Sequence, residues 1–172
     1  MELLEKFKHI NTFIFDVDGV LTNGSVHVTD SGEGMRVFNI KDGYALQLAV
    51  KKGYRVAIIS GGRGEHTIKR LQGLGIQDIF LGAHDKLQIF KDYAAENDLH
   101  PHNILYMGDD IPDWEVMKRV GLATCPNDAA SEIIQISHYV SPKNGGEGCA
   151  RDVIEKSLRT QEKWFDTTSF TW

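Results

Sequence analysis

Thr12-Phe13-Ile14-Phe15-Asp16-Val17-Asp18-Gly19-Val20-Leu21-Thr22 decides the reading of this chain. Four residues of apolar, strand-forming character end abruptly in two acids and a glycine, which reads as a buried strand feeding a tight loop. Working outward, Arg55 to Ile59 reads as a second buried strand, Asp78 to Leu81 as a third, Asn103 to Met107 as a fourth and Leu122 to Thr124 as a fifth. Between them lie helical patterns at Gly43 to Lys52, Gly64 to Leu74, Lys86 to Asn97 and Pro112 to Val120. A short helix over Ala129 to Gln135 and a last one over Ala150 to Arg159 follow. Repeated strand-helix units predict an α/β, doubly wound, mostly parallel Rossmann-like sheet covered on both faces.

The exception is Gly24 to Asn39. Two short extended runs flank Asp30-Ser31-Gly32-Glu33-Gly34, a hairpin signal where a flap over a ligand would sit after strand one. The end of the chain, Trp164 to Trp172, carries four aromatics without periodicity and reads as a docking tail or a partly disordered one. With 172 residues, 41% hydrophobic and 25% charged, one domain spanning residues 1 to 172 is expected. A net charge of −5 gives no electrostatic case for nucleic acid or an anionic membrane. No apolar run approaches the ~20 residues that span a bilayer. The start, Met1 to His9, lacks a signal-peptide pattern, and Cys125 and Cys149 have neither redox nor zinc spacing, so a cytoplasmic protein with reduced thiols is expected.

Ligands of such sheets bind beyond the carboxyl ends of the strands, so the residues after each strand carry the functional signal. After the first stand Asp16 and Asp18, after the second Ser60-Gly61-Gly62, after the third Lys86, and after the fourth Gly108-Asp109-Asp110-Ile111-Pro112-Asp113. Singly, each has a duller explanation: acids and serines cap helices, and most lysines are solvated. Jointly they place acids, a hydroxyl and an amine at one rim of one sheet. Clustered carboxylates suit a hard cation, Mg²⁺ before Ca²⁺, because no calcium-loop pattern is present. Lys86, the Ser60 hydroxyl and the amides around Gly61 suit a phosphoryl group.

This ordered set resembles the haloacid dehalogenase superfamily, whose pattern is DxD, Ser or Thr, Lys and a GDxxxD or GDDxxD motif. The likeness narrows through Phe38-Asn39-Ile40-Lys41-Asp42-Gly43, Leu74-Gly75-Ile76 and Asn144-Gly145-Gly146-Glu147-Gly148, which are similar to the capless 3-deoxy-D-manno-octulosonate 8-phosphate phosphatase family. The resemblance implies no cap domain, Mg²⁺ held by Asp16, the Asp18 carbonyl and Asp109, and Asp110 and Asp113 orienting those ligands and Lys86. It implies Asp16 as covalent nucleophile and Asp18 as general acid and base, which requires Asp18 to carry a proton at first, held there by anionic neighbours or enclosure. Ser60, Gly61 and Lys86 would bind phosphate, with Asp42, Arg63 and Arg70 toward a sugar-acid substrate. A homotetramer is implied too, in which the hairpin (about 24–39) meets its copies and the segment 144–148 reaches a neighbour's site.

One departure stands out. The family often has an Arg after the Thr-Gly of its second motif, where this chain has Gly62, with Arg63 following. Relatives acting on nonulosonate 9-phosphates tend to carry Glu there and Lys at the place of Gly75; neither is present, which favours the eight-carbon substrate. Remaining readings are a nonulosonate or other sugar phosphatase, a non-catalytic phospho-acceptor, and an interaction module. A receiver-like acceptor would phosphorylate an Asp after strand three, and here that strand ends in Leu81-Gly82.

Overall fold

The computed structural model describes residues 2–172. Its elements are α1 (Leu3–His9), β1 (Thr12–Phe15), β2 (His27–Val28), β3 (Gly34–Met35), α2 (Ile40–Lys51), β4 (Arg55–Ser60), α3 (Glu65–Gly73), β5 (Asp78–Leu81), α4 (Lys86–Glu96), β6 (Ile104–Met107), α5 (Trp114–Met117), β7 (Leu122–Cys125), α6 (Ser131–Ile136), β8 (Tyr139–Val140) and α7 (Cys149–Thr160). Six strands form one sheet in the order β5-β4-β1-β6-β7-β8, every pairing parallel. Chain order reverses between β1 and β6, so the crevice at that switch point opens directly above Asp16 and Asp109.

Alternation along the strands builds a core on each face. Phe13, Phe15, Val56, Ile58, Leu105 and Met107 point to one side, under α1, α2, α3 and α7. Ile14, Ala57, Ile59, Ile104 and Tyr106 point to the other, under α4, α5 and α6. Nearly all of these are fully buried, each Phe, Ile, Leu, Val or Met contributing about 1.5–3 kcal/mol of hydrophobic stabilisation. That two-sided anchoring is what holds the strand ends rigid enough to carry a site.

Several boundaries differ from those expected, for local reasons. α2 starts at Ile40 rather than Gly43, because the Asn39 side chain accepts from the amides of Lys41 (2.8 Å) and Asp42 (3.1 Å) and caps the helix earlier. The helix expected over Pro112 to Val120 shrinks to a 3₁₀ turn, Ile111–Asp113, and the short α5. There Asp110 and Asp113 form a reciprocal capping box that tightens the turn. α1 and β8 escaped the sequence reading, being too short to show a period. The hairpin is present, but only His27–Val28 and Gly34–Met35 pair; the run from Arg36 to Asn39 forms no strand and leads into the cap of α2.

The aromatic tail docks on α2. Tyr44 donates its hydroxyl to the Ser169 carbonyl (2.5 Å), Lys51 reaches the Thr171 carbonyl (2.8 Å), and Lys52 pairs with Asp166. Trp164 is buried beneath the Arg151 guanidinium, 5.0 Å from its ring centre. Cys125 and Cys149 are free and buried. Among the described residues, no helix is long and apolar enough to cross a membrane.

Candidate active site

The first strand places the central carboxylate. The Asp16 amide continues the β1 ladder onto the Met107 carbonyl (3.1 Å), so its side chain emerges where β1 and β6 part. One oxygen, Oδ1, accepts from the Val17 amide (2.6 Å), and Oδ2 meets Lys86 Nζ at 2.8 Å. The chain then coils tightly, with the amides of Val20, Leu21 and Thr22 all turned to the Val17 carbonyl. Gly19 permits this coil at φ +83°, and it also makes room for Asp109: a Cβ at residue 19 would stand 2.0 Å from Asp109 Oδ2. Gly19→Ala is therefore expected to push Asp109 aside and lower kcat/KM by about 10–100-fold, the scale on which disturbed metal-site partners act, with weaker Mg²⁺ activation in a metal titration.

The fourth predicted strand, β6, delivers the remaining acids. Asp113 is fully buried and gathers Lys86 Nζ (2.7 Å), the Tyr106 hydroxyl (2.6 Å) and the Asp109 amide (3.1 Å). Gly108 allows the approach, since a Cβ there would lie 2.4 Å from the Asp113 side chain. Asp110 turns its own carboxylate to the Ile111 amide (2.8 Å). Lys86, the first residue of α4, is thus clamped between Asp16 and Asp113 and points into the cleft from a capped helix start, where Asp85 accepts from the Gln88 amide (2.9 Å). Ser60 ends β4, buried, its hydroxyl accepting from the Gly62 amide at 3.3 Å.

Asp16, Asp18, Ser60, Gly61, Lys86, Asp109, Asp110 and Asp113 all line one open cleft of about 540 Å³, together with Gly19, Gly24, Gly62 and His84. Asp42, Arg63 and Arg70 do not line it. Asp42 faces α7, where it accepts from the Arg151 amide (2.8 Å), and burial pushes its carboxyl up to about 6. Arg70 packs over Gly43 beside it, and the two border a separate small pocket between α2 and α3. Arg63 lies against Gly82. The glycine segment 144–148, matched above to a piece that reaches a neighbour, here braces its own chain. The Gly146 amide donates to the Val20 carbonyl (2.9 Å), and a Cβ at Gly145 would stand 2.0 Å from the Gly19 carbonyl oxygen.

Electrostatics mark the cleft as built for a cation. Asp16, Asp109 and Asp113 offer carboxylate oxygens all within 4.8 Å of one another. Burial first, and then the Asp16 and Asp113 charges, push Asp109 up to about 8; burial and Asp113 raise Asp16 to about 6, against the pull of Lys86. Burial draws the Lys86 ammonium down, but the two flanking carboxylates outweigh it and hold its proton more firmly than usual. An oxygen-only donor set with surplus negative charge suits a hard divalent ion such as Mg²⁺, which would take the place of the proton that Asp109 otherwise retains.

Two participants were not visible from the motifs. Tyr106 alternates inward in a strand that reads as purely apolar. Arg36 comes from the hairpin's far side and grips Asp18 with two donors, Nε to Oδ1 (2.5 Å) and Nη2 to Oδ2 (3.0 Å). The neighbour of Asp18 is thus a cation, where anions or enclosure were expected, because Gly62, whose Cβ would stand 2.7 Å from Arg36 Nη2, lets the guanidinium in. Only its being an Arg in a segment that follows the DxD loop could have drawn attention to it.

Known proteins resemble this chain over nearly its whole length. A family model for haloacid dehalogenase-like hydrolases matches residues 72–152. The 3-deoxy-D-manno-octulosonate 8-phosphate phosphatase of Escherichia coli K12 is 36% identical over 162 residues, 94% of this chain and 86% of that protein. The crystal structure of the phosphatase of the same name from Yersinia pestis superposes with a TM-score of 0.91 at 34% identity, covering 94% and 87% of the two chains. That from Moraxella catarrhalis, in complex with magnesium ion, phosphate ion and a KDO molecule, gives 0.89 at 31% identity, covering 92% and 91%.

Proposed function

This chain is a phosphatase of the haloacid dehalogenase-like hydrolase family, and from that premise we propose that it hydrolyses 3-deoxy-D-manno-octulosonate 8-phosphate to the free sugar acid and inorganic phosphate. The phosphoryl chemistry is carried by the Asp16–Lys86–Asp113 cluster beside Asp109 at the sheet's switch point, a nucleophile next to a cation that can meet a phosphoryl oxygen, and the substrate by the likeness to the octulosonate 8-phosphate phosphatases.

Asp16 attacks phosphorus, forming an aspartyl phosphate as the bond to the sugar oxygen breaks. With a pKa near 6 the carboxylate is mostly ionised at neutral pH and needs no base. Ser60, the amides near Gly61 and Lys86 hold the phosphoryl oxygens. Asp18, once parted from Arg36 and protonated from solvent, gives that proton to the departing sugar oxygen, then takes one from the water that cleaves the intermediate. Asp16, Asp109 and the Asp18 carbonyl would hold Mg²⁺, while Asp113 positions Lys86 and Asp110 shapes the turn. Bound there, Mg²⁺ supplies the positive charge that offsets repulsion between two anions. Asp18→Asn is expected to lower kcat by about 10²–10⁴-fold, with substrate binding retained.

A capless cleft leaves the leaving group exposed, so we place substrate selection partly in a homotetramer, through the hairpin and its exposed Val26, Val28, Met35 and Val37. Phosphate release from octulosonate 8-phosphate against a nonulosonate 9-phosphate tests the substrate. A higher kcat/KM on the nine-carbon compound would replace this reading with its nearest alternative.

A further inference from the structure

Arg36 occupies the position from which the leaving group must be read. Asp18 is the group that reaches the sugar oxygen, so the sugar lies beside Asp18; the guanidinium that stands there is Arg36, its side chain only 8% exposed. It has a fixed anchor and a free fork. Nη1 is held by the carbonyls of Gly34 (3.0 Å) and Arg63 (3.0 Å), tying the hairpin to the loop after β4. Nε and Nη2 turn to Asp18, which itself lines the cleft, so Arg36 stands one carboxylate behind the cleft wall. The berth exists because residue 62 has no side chain: a Cβ there would stand 2.7 Å from Arg36 Nη2 and 2.8 Å from Asp18 Oδ2. Lys86 is held between Asp16 and Asp113, while Arg63, beside Gly82, and Arg70, beside Gly43, do not line the cleft.

We infer that Arg36 is the specificity residue for the substrate's carboxylate, and that this carboxylate, by taking over the Nε/Nη2 fork, frees Asp18 to take up a proton from solvent and deliver it to the leaving oxygen. The inference rests on the sugar-acid reading above. A planar guanidinium matches a carboxylate with two parallel donors, so exchanging Asp18 for a substrate carboxylate keeps both bonds. While the fork stays on Asp18, both of its oxygens are occupied. A phosphate ester without a carboxylate offers nothing to displace Asp18 from the fork, and selectivity follows from that difference rather than from tighter binding alone. With Nη1 anchored, the rigid guanidinium keeps its place while the carboxylate on its fork is exchanged.

The test compares wild-type enzyme with Arg36→Met, in Mg²⁺, on octulosonate 8-phosphate and on ribose 5-phosphate, a primary alkyl phosphate that also needs a proton donor but has no carboxylate. Arg36→Met is expected to lower kcat/KM on the sugar acid by about tenfold or more, mainly through KM, the value of a lost charge-assisted pair. On ribose 5-phosphate it is expected to rise severalfold, because Asp18 is released. Arg36→Lys, which keeps a positive charge at the berth but not the two-pronged fork, should retain part of the sugar-acid preference. Equal losses on both substrates, or no change on either, would overturn the inference while leaving the substrate reading intact. A wild-type enzyme indifferent to the carboxylate would remove the substrate reading itself, and the inference with it.

Discussion

Asp16→Asn is expected to bring phosphate release to background, a loss of about 10⁴-fold or more, the order seen when a nucleophile is removed from a site whose parts act as a unit. The amide cannot attack phosphorus, and no other carboxylate takes its place: Asp113 is bound to Lys86, Tyr106 and the Asp109 amide, and Asp109 faces Gly19. The fold should survive. Burial already makes the charge on Asp16 unfavourable, and Lys86 keeps Asp113 as partner at 2.7 Å. A thermal midpoint within about 4 °C of the wild type, roughly 1 kcal/mol or less for a chain of this size, would accompany the inactivity. Appreciable turnover by this variant would rule out the covalent route through Asp16.

Stability of the metal-free protein is expected to fall between pH 6 and pH 8.5, and Mg²⁺ to restore it more at the higher pH. Asp109 has a folded-state pKa of about 8 and Asp16 one of about 6, both raised from 3.8. A folded chain that holds protons the unfolded chain releases gains stability at low pH and loses it as pH climbs through the folded pKa values. Here that loss begins above about pH 4 and is complete only above pH 8, Asp109 supplying its later part. A divalent cation takes the protons' place, so its binding should release protons and its thermal shift should grow with pH. Asp109→Asn should flatten the decline and abolish the Mg²⁺ response. Chelation should lower turnover by about 10³-fold, several kcal/mol of lost charge stabilisation. A Mg²⁺-induced shift in thermal midpoint no larger at pH 8.5 than at pH 6 would contradict this account of the acids.

The same residues show why some of the site could be read in advance and some could not. Asp16, Ser60, Lys86 and Asp109 each follow a strand or open a helix, and in a parallel sheet every strand end of that kind faces one rim. Their convergence follows from topology, so the order of short apolar runs was enough to find it. Asp42 and Arg70 sit in motifs as distinctive, yet they border a different pocket, because helix rotation rather than strand order decides where a helical side chain points.

By itself the sequence determined the doubly wound sheet, the hairpin after β1 and the set of acids around a cation, since each is written in local periodicity and in what ends each strand. Tertiary structure alone decided that Arg36 would meet Asp18 across 18 residues of chain, that Tyr106 would hold Asp113, and that Gly145 and Gly146 would press on the loop at Gly19. Those contacts depend on backbones approaching where side chains are missing. A glycine announces that something can come close, and only the packed fold says what does.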